Sequence, residues 1–303
     1  MADALPSWRE GATRTALVEF FDRIDEIPRR DRVAVFDNDG TMWCEKPSYT
    51  QADFLVHELR LAVTRDPAVG ERDEYRAVLE GDRAALAEMG LVRVVMALIE
   101  LHTAITPEDF DERVRTFFAE ARHPDRGMPY RHQRYQPMLE LIAELRSHGF
   151  DVYIVSAGGA EFVRAISDDF YGVKPEGVVG SQIDYDLVRD DGTVHLIRTA
   201  QLVGVEANEG EAKPANIQRV LGRRPVVAGG NSAGDAEMLQ YAMSYDGPSL
   251  ALLVDHDDAE REYAYASTAG TFEAGESILD TAARLGWVVA SIKDDWETVF
   301  ADS

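Results

Sequence analysis

Six side chains at four places in the chain have the types and spacing that chemistry needs. Asp37-Asn38-Asp39-Gly40-Thr41 sets two carboxylates two residues apart, beside a glycine that lets the backbone curl around them. Like charges so close are unfavourable alone, so the pair implies a metal ion, a shared proton, or separate acid and nucleophile roles. Ser156-Ala157-Gly158-Gly159 offers a hydroxyl and glycine-exposed N–H groups ahead of a helical pattern, the makings of an anion cradle. Lys213-Pro214 puts an ammonium at a helix start, where it can pair with an anion or with a carboxylate nucleophile. Gly230-Asn231 and Asp235 place an amide oxygen and a carboxylate one turn apart, donors that suit a hard cation.

The elements that must position these groups are legible around them. Val33-Ala34-Val35-Phe36 is an unbroken apolar run, the mark of a strand buried on both faces. Further strands are expected at 152–155, 226–228, 250–254 and 287–292, with helical patterns between them. That alternation predicts an α/β fold, a doubly wound parallel sheet, whose strand ends carry the chemistry. Ahead of it, Ser7-x-x-Glu10 has capping-box spacing, and Leu17, Phe20, Phe21 and Ile24 follow helical periodicity. From 45 to 135 no strand alternation occurs. Instead Phe54, Leu55, Leu59 and Ala62 share a helix face, and Thr106-Pro107-Glu108-Asp109 opens a helix with a Phe110, Val114, Phe117, Phe118 stripe. This stretch is too long for a simple crossover, so 45–135 is expected to be an inserted helical domain on a core of 1–44 and 136–303. Two strand-like runs around Asp190-Asp191-Gly192, within 178–198, predict a small β-hairpin insertion.

Composition narrows the function classes. The net charge is −24, from 31 basic and 55 acidic residues, which argues against a nucleic-acid or anionic-membrane surface. Only four lysines occur, which gives Lys213 more weight. The single cysteine, Cys44, excludes an internal disulfide and suits a reducing cytosol. No basic, apolar leader is apparent, and the apolar run 91–101 is too short to cross a bilayer, so a soluble cytoplasmic protein is expected.

Taken together and in this order, the four motifs resemble those of the haloacid dehalogenase superfamily, and within it the phosphoserine-phosphatase-like phosphatases. The likeness covers roughly 30–41 and 137–292, and the helical stretch falls where that superfamily carries its cap. It implies that Asp37 attacks phosphorus to give a phospho-aspartate, and that Asp39 protonates the leaving group and then activates water. It further implies Mg²⁺ bound by Asp37, Asp39 (through its carbonyl) and Asn231, with Asp235 contributing directly or through water. Phosphate would be held by Ser156, the N–H groups of Ala157 and Gly158, and Lys213. The superfamily's fourth motif most often begins with Asp, so Asn231 implies weaker Mg²⁺ binding, which Asn231→Asp would tighten. The implied activity is Mg²⁺-dependent hydrolysis of a small phosphate monoester, a small phosphorylated metabolite being the partner. The alternatives are phosphoryl transfer to an alcohol, phosphonate or C–halogen hydrolysis, or a catalytically silent ligand-binding relative. A dehalogenase needs neither the second acid nor a metal, so Asp39 favours phosphoryl chemistry.

Other residues carry weaker signals. Trp43, Glu45 and Lys46 follow the acid pair and are expected to face the cleft, Trp43 and Glu45 as specificity residues. Arg131, within Tyr130-Arg131-His132-Gln133-Arg134, is a candidate second anion contact. Asp255-His256-Asp257-Asp258 reads as the cap of a following helix. The Phe-rich helical region is a candidate face for a homodimer.

Overall fold

The structure, a computed structural model, describes residues 5–204, 207–267 and 276–301. Its centre is β1 (Val33–Phe36), in which Val33 and Val35 pack into one hydrophobic cluster and Ala34 and Phe36 into another. Successive side chains of a strand point to opposite faces, so this split means that both faces of the sheet are covered.

The other strands are β2 (Asp151–Gly159), β3 (Val178–Ser181), β4 (Ile183–Asp190), β5 (Thr193–Leu202), β6 (Val227–Gly230), β7 (Leu250–Asp255) and β8 (Val288–Ser291). Six of them form one parallel sheet in the order β3-β2-β1-β6-β7-β8. The chain builds outward from β1 to β3 on one side, then returns to β1's other edge with β6. The crevice between β1 and β6 is therefore the topological switch point, where such sheets bind ligands.

Helix α1 (Ala12–Asp22) precedes the sheet. Between β1 and β2 lie α2 (Thr50–Arg65), α3 (Asp73–Glu80), α4 (Arg83–Met89), α5 (Leu91–Glu100) and α6 (Pro107–Glu120). The rest alternate with strands: α7 (Gln136–Ser147), α8 (Ala160–Tyr171), α9 (Ala212–Leu221), α10 (Ala236–Met243), α11 (Ile278–Leu285) and a short α12 (Ile292–Asp295). Leu17, Phe20, Leu141 and Val163 cover one sheet face from α1, α7 and α8. Ile217, Met238, Leu239 and Ala282 cover the other from α9, α10 and α11. The fold is thus the expected doubly wound α/β sheet. No described helix is long and apolar enough to cross a membrane.

Helix α6 begins as its sequence requires, with a reciprocal capping box between Thr106 and Asp109. Its phenylalanines face inward. Phe118 lies 5.5 Å from Phe162 and 5.2 Å from Phe170 of α8, and Phe54 of α2 lies 5.5 Å from Phe162. The aromatic stripe considered for a face between copies is thus buried against α8.

Three local expectations are corrected. Ser7 does not cap α1; its N–H and hydroxyl both donate to Glu140, at 2.9 and 2.6 Å, and the helix starts only after Gly11. The run expected as the first arm of the hairpin divides at Gln182: Val178–Ser181 joins the main sheet as β3, and the hairpin is 183–202. Its turn is Asp191-Gly192, with φ of 43° and 80°, the left-handed pair a two-residue hairpin turn needs. Asp255–Asp258 caps no helix, since the next described one starts at Ile278; Asp258 instead accepts from the N–H groups of Glu260 and Arg261.

Candidate active site

Asp37 is the first residue beyond β1, and its N–H donates to Gly229 of β6 at 2.9 Å, which fixes it at the switch point. Lys213, in the first turn of α9, is 2 % exposed. Its ammonium donates to Asp37 Oδ1 at 2.6 Å, Asp235 Oδ1 at 2.6 Å and the Val155 carbonyl at 3.0 Å. All three ammonium protons are thus engaged. Burial alone would lower Lys213, yet the Asp235 and Asp37 carboxylates raise it above its ordinary value, so it stays charged. Burial and the Asp235 charge push Asp37 well above the usual carboxylate range, against the pull of Lys213.

Ser156 lies where β2 leaves its ladder. Val155 pairs with Val179 and Gly159 with Ser181, so Ser156, Ala157 and Gly158 loop out opposite a single residue of β3. The freed carbonyls are held from behind. Asn208 Nδ2 donates to the Ser156 carbonyl at 3.0 Å and the Val179 carbonyl at 3.1 Å, and the Ser181 hydroxyl donates to the Ala157 carbonyl at 2.7 Å. Ser156 Oγ in turn accepts from the Gly158 N–H at 3.0 Å. The excursion from the ladder is what makes this turn able to cup an anion.

Asp39 stands over that turn: its Oδ2 lies 3.9 Å, and Ser156 Oγ 3.2 Å, from where a Cβ on Gly158 would sit. Burial pushes Asp39 up to about 6, with Trp43 and Asn38 hydrogen bonds opposing and the Glu45 charge assisting. A carboxyl poised there can hold a proton and release it near neutrality. Trp43 is not a cleft residue, as the sequence suggested. It is fully buried among Phe118, Phe162 and Phe170, and its indole N–H donates to Asp39 Oδ1 at 2.9 Å. Glu45 is 7 % exposed beside Asp39, with Lys46 at 3.4 Å.

Asn231 packs against Gly40. Gly40 has φ of 72°, and a Cβ there would come within 2.0 Å of Asn231 Nδ2, so both the turn and the approach demand glycine. Asp235 is 1 % exposed, and its Oδ2 accepts from the N–H groups of Asn231 and Ser232, each at 3.0 Å. With Oδ1 on Lys213, Asp235 braces its neighbours. Among the described residues no three His, Cys, Asp or Glu side chains gather as a metal-binding group. The oxygens on offer are the Asp37 carboxylate, the Asn231 amide and backbone carbonyls. Asp37, Asp39 and Asp235 together face one ammonium, and that excess of negative charge on hard donors fits a divalent cation.

Arg131 is not brought to this site. It is exposed, and among the described residues its guanidinium reaches only His132, at 3.3 Å. A groove of about 500 Å³ between α2 and the end of α6, lined by residues including Asp53, His57, Arg60 and Arg122, also holds none of the candidate residues. Three residues at the site were missed: Asn208, Gln51 and His256. His256 is buried, with Nε2 2.8 Å from the Gly40 carbonyl and Nδ1 3.2 Å from Glu262 Oε2. Burial pushes Glu262 up, but His256 outweighs it and holds Glu262 below its ordinary value. Glu262 also takes Cys44 Sγ at 3.0 Å, and burial pushes that thiol up, away from reactivity.

Residues 34–240 match the haloacid dehalogenase-like hydrolase family. No curated protein matches the chain. Among solved structures, a protein of unknown function from Bordetella pertussis Tohama I superposes with a TM-score of 0.53 at 15 % identity, over 85 % of this chain and 97 % of that one. One from Anaerococcus prevotii DSM 20548, also functionally unknown, superposes with a TM-score of 0.52 at 17 % identity, over 91 % and 89 %. These two likenesses concern the fold, while the family match spans most of the chain and all four motifs. The chain belongs to the haloacid dehalogenase-like hydrolases.

Proposed function

We propose that this hydrolase is a Mg²⁺-dependent phosphatase of small phosphate monoesters, with 45–135 serving as its cap. In this reading Asp37, held by Lys213 through Oδ1, attacks phosphorus with its other oxygen. The bond to the ester oxygen breaks, and Asp39 gives that oxygen its proton. Asp39 then takes a proton from water, whose oxygen attacks phosphorus. The Asp37–phosphorus bond breaks and orthophosphate leaves. Ser156 and the Ala157 N–H hold the phosphoryl oxygens, where most transition-state charge resides, and the Gly158 N–H, donating to Ser156 Oγ, positions that hydroxyl.

Mg²⁺, held by Asp37, the Asp39 carbonyl and Asn231, would supply charge stabilisation for those oxygens. Asp235, with both oxygens engaged, supports the site best by holding Lys213 and the Asn231 backbone. Lys213 supports it by orienting Asp37, since contact with phosphate would require releasing one of its three bonds.

One observation carries the reading. Asp39, pushed up to about 6, overhangs the Ser156–Gly158 turn, while Asp37 next to it is tied to a charged lysine. Asp39 thus has the environment a proton donor requires, and the Lys213 ammonium opposes the burial that otherwise disfavours charge on Asp37. Phosphate release from a panel of phosphorylated metabolites, with Mg²⁺ or with chelator, tests it. Asp37→Asn is expected to lower kcat on the order of a thousandfold or more. Turnover by Asp37→Asn at the parent's rate ends the proposal.

A further inference from the structure

Gln51 lies in the first turn of α2, among the helices between β1 and β2, yet its carboxamide rests on the anion-binding turn of β2. Its Oε1 accepts from the Gly159 N–H at 2.9 Å. A Cβ on Gly158 would lie 2.9 Å from that oxygen, and one on Gly159 would lie 2.9 Å from Nε2. Both glycines are therefore needed for this side chain to approach. The same Gly158 point has Ser156 Oγ at 3.2 Å and Asp39 Oδ2 at 3.9 Å, so the three side chains converge over the turn.

The backbone that carries Gln51 is anchored. Thr50 beside it is 2 % exposed, and Phe54, one turn on, is fully buried against Phe162 of α8. The carbonyl end of the amide is committed to Gly159, and among the described residues no hydrogen bond engages its Nε2 donor.

Resting on the phosphatase reading, we propose that Gln51 is a substrate-contacting residue whose Nε2 donates to a phosphoryl oxygen seated against Ser156. The helical region thereby reads the phosphoryl group itself and not only the leaving group. The alternative role, a latch holding α2 to β2, needs only the acceptor oxygen.

Gln51→Glu separates the two roles. It keeps an oxygen for the Gly159 N–H, and it replaces the donor with a second, charged acceptor. Orthophosphate binding is measured by calorimetry in the presence of Mg²⁺ on the parent, Gln51→Ala and Gln51→Glu, each checked for the parent's circular dichroism. Affinity is expected to fall about fivefold to tenfold in Gln51→Ala and on the order of a hundredfold in Gln51→Glu, because an acceptor then opposes the anion. A Gln51→Glu protein that binds orthophosphate as the parent does, with Gln51→Ala weaker than both, establishes the latch and overturns the proposal. A parent that binds no orthophosphate removes the phosphatase reading and the assignment of Gln51 with it. Binding by the parent with no change in either variant removes the assignment alone.

Discussion

The two walls of the site are built differently. The wall supplied by the sheet is closed on itself: Lys213 has all three protons engaged, Asp235 has both oxygens engaged, and Asn208 and Ser181 hold the carbonyls behind the turn. The wall that follows β1 into the helices is looser. Gln51 makes one hydrogen bond, Glu45 meets Lys46 at 3.4 Å, and Tyr49 nearby is 47 % exposed. A group locked by several buried partners is pre-organised and has little freedom to change, whereas a side chain with a single contact can be exchanged at small cost in stability. The two walls therefore differ in how freely their side chains can be exchanged.

The sharpest way to break that contrast is Lys213→Met. It leaves Asp37 and Asp235 buried without their shared cation, so stability should fall by about 3–5 kcal/mol in urea unfolding. The loss should shrink on acidification, because burial already holds Asp37 above the usual carboxylate range and its protonation relieves the stranded charge. Near-parental stability at pH 8 would show that the first wall is not interlocked.

A smaller effect is expected of Trp43→Phe, which keeps an aromatic ring but removes the N–H held by Asp39. That hydrogen bond lowers Asp39, so its loss should carry the carboxyl above about 6. The first step needs Asp39 protonated, and kcat/KM should therefore decline with rising pH at a higher pH than in the parent. An unmoved limb would detach Trp43 from the acid.

Least affected should be Arg131→Ala. With an exposed side chain that reaches only His132 among the described residues, it should leave kcat/KM unchanged and stability within about 0.5 kcal/mol. A marked drop in kcat/KM would mean that the second wall extends farther than the structure draws it.

What the sequence disclosed follows the same division. Asp37, Asp39, Ser156, Asn231 and Asp235 were recognisable because each adjoins an apolar run or a glycine, and Lys213 because it is one of only four lysines and stands at a helix start; those local signals survive without neighbours. The hairpin's start was misread because nothing in 178–190 distinguishes residues that pair with β2 from those that pair with β5. Ser7 looked like a cap because its true partner, Glu140, is 133 residues away. Trp43 and Asp39 are one turn apart in sequence, but only the packed phenylalanines show that the indole points inward to the acid. Asn208 and Gln51 sit in no motif, and His256 was legible only as part of a helix cap; each owes its place to a backbone group brought in from another element.

The departure of β2 from its ladder has a consequence for how this turn can vary. Four steps along β2 from Val155 to Gly159 are matched by two along β3, from Val179 to Ser181. The two extra residues leave the ladder, so a deletion that restored one-to-one pairing with β3 would draw this turn back into the sheet and erase it. The length between Val155 and Gly159 is thus as much a part of the turn as its glycines.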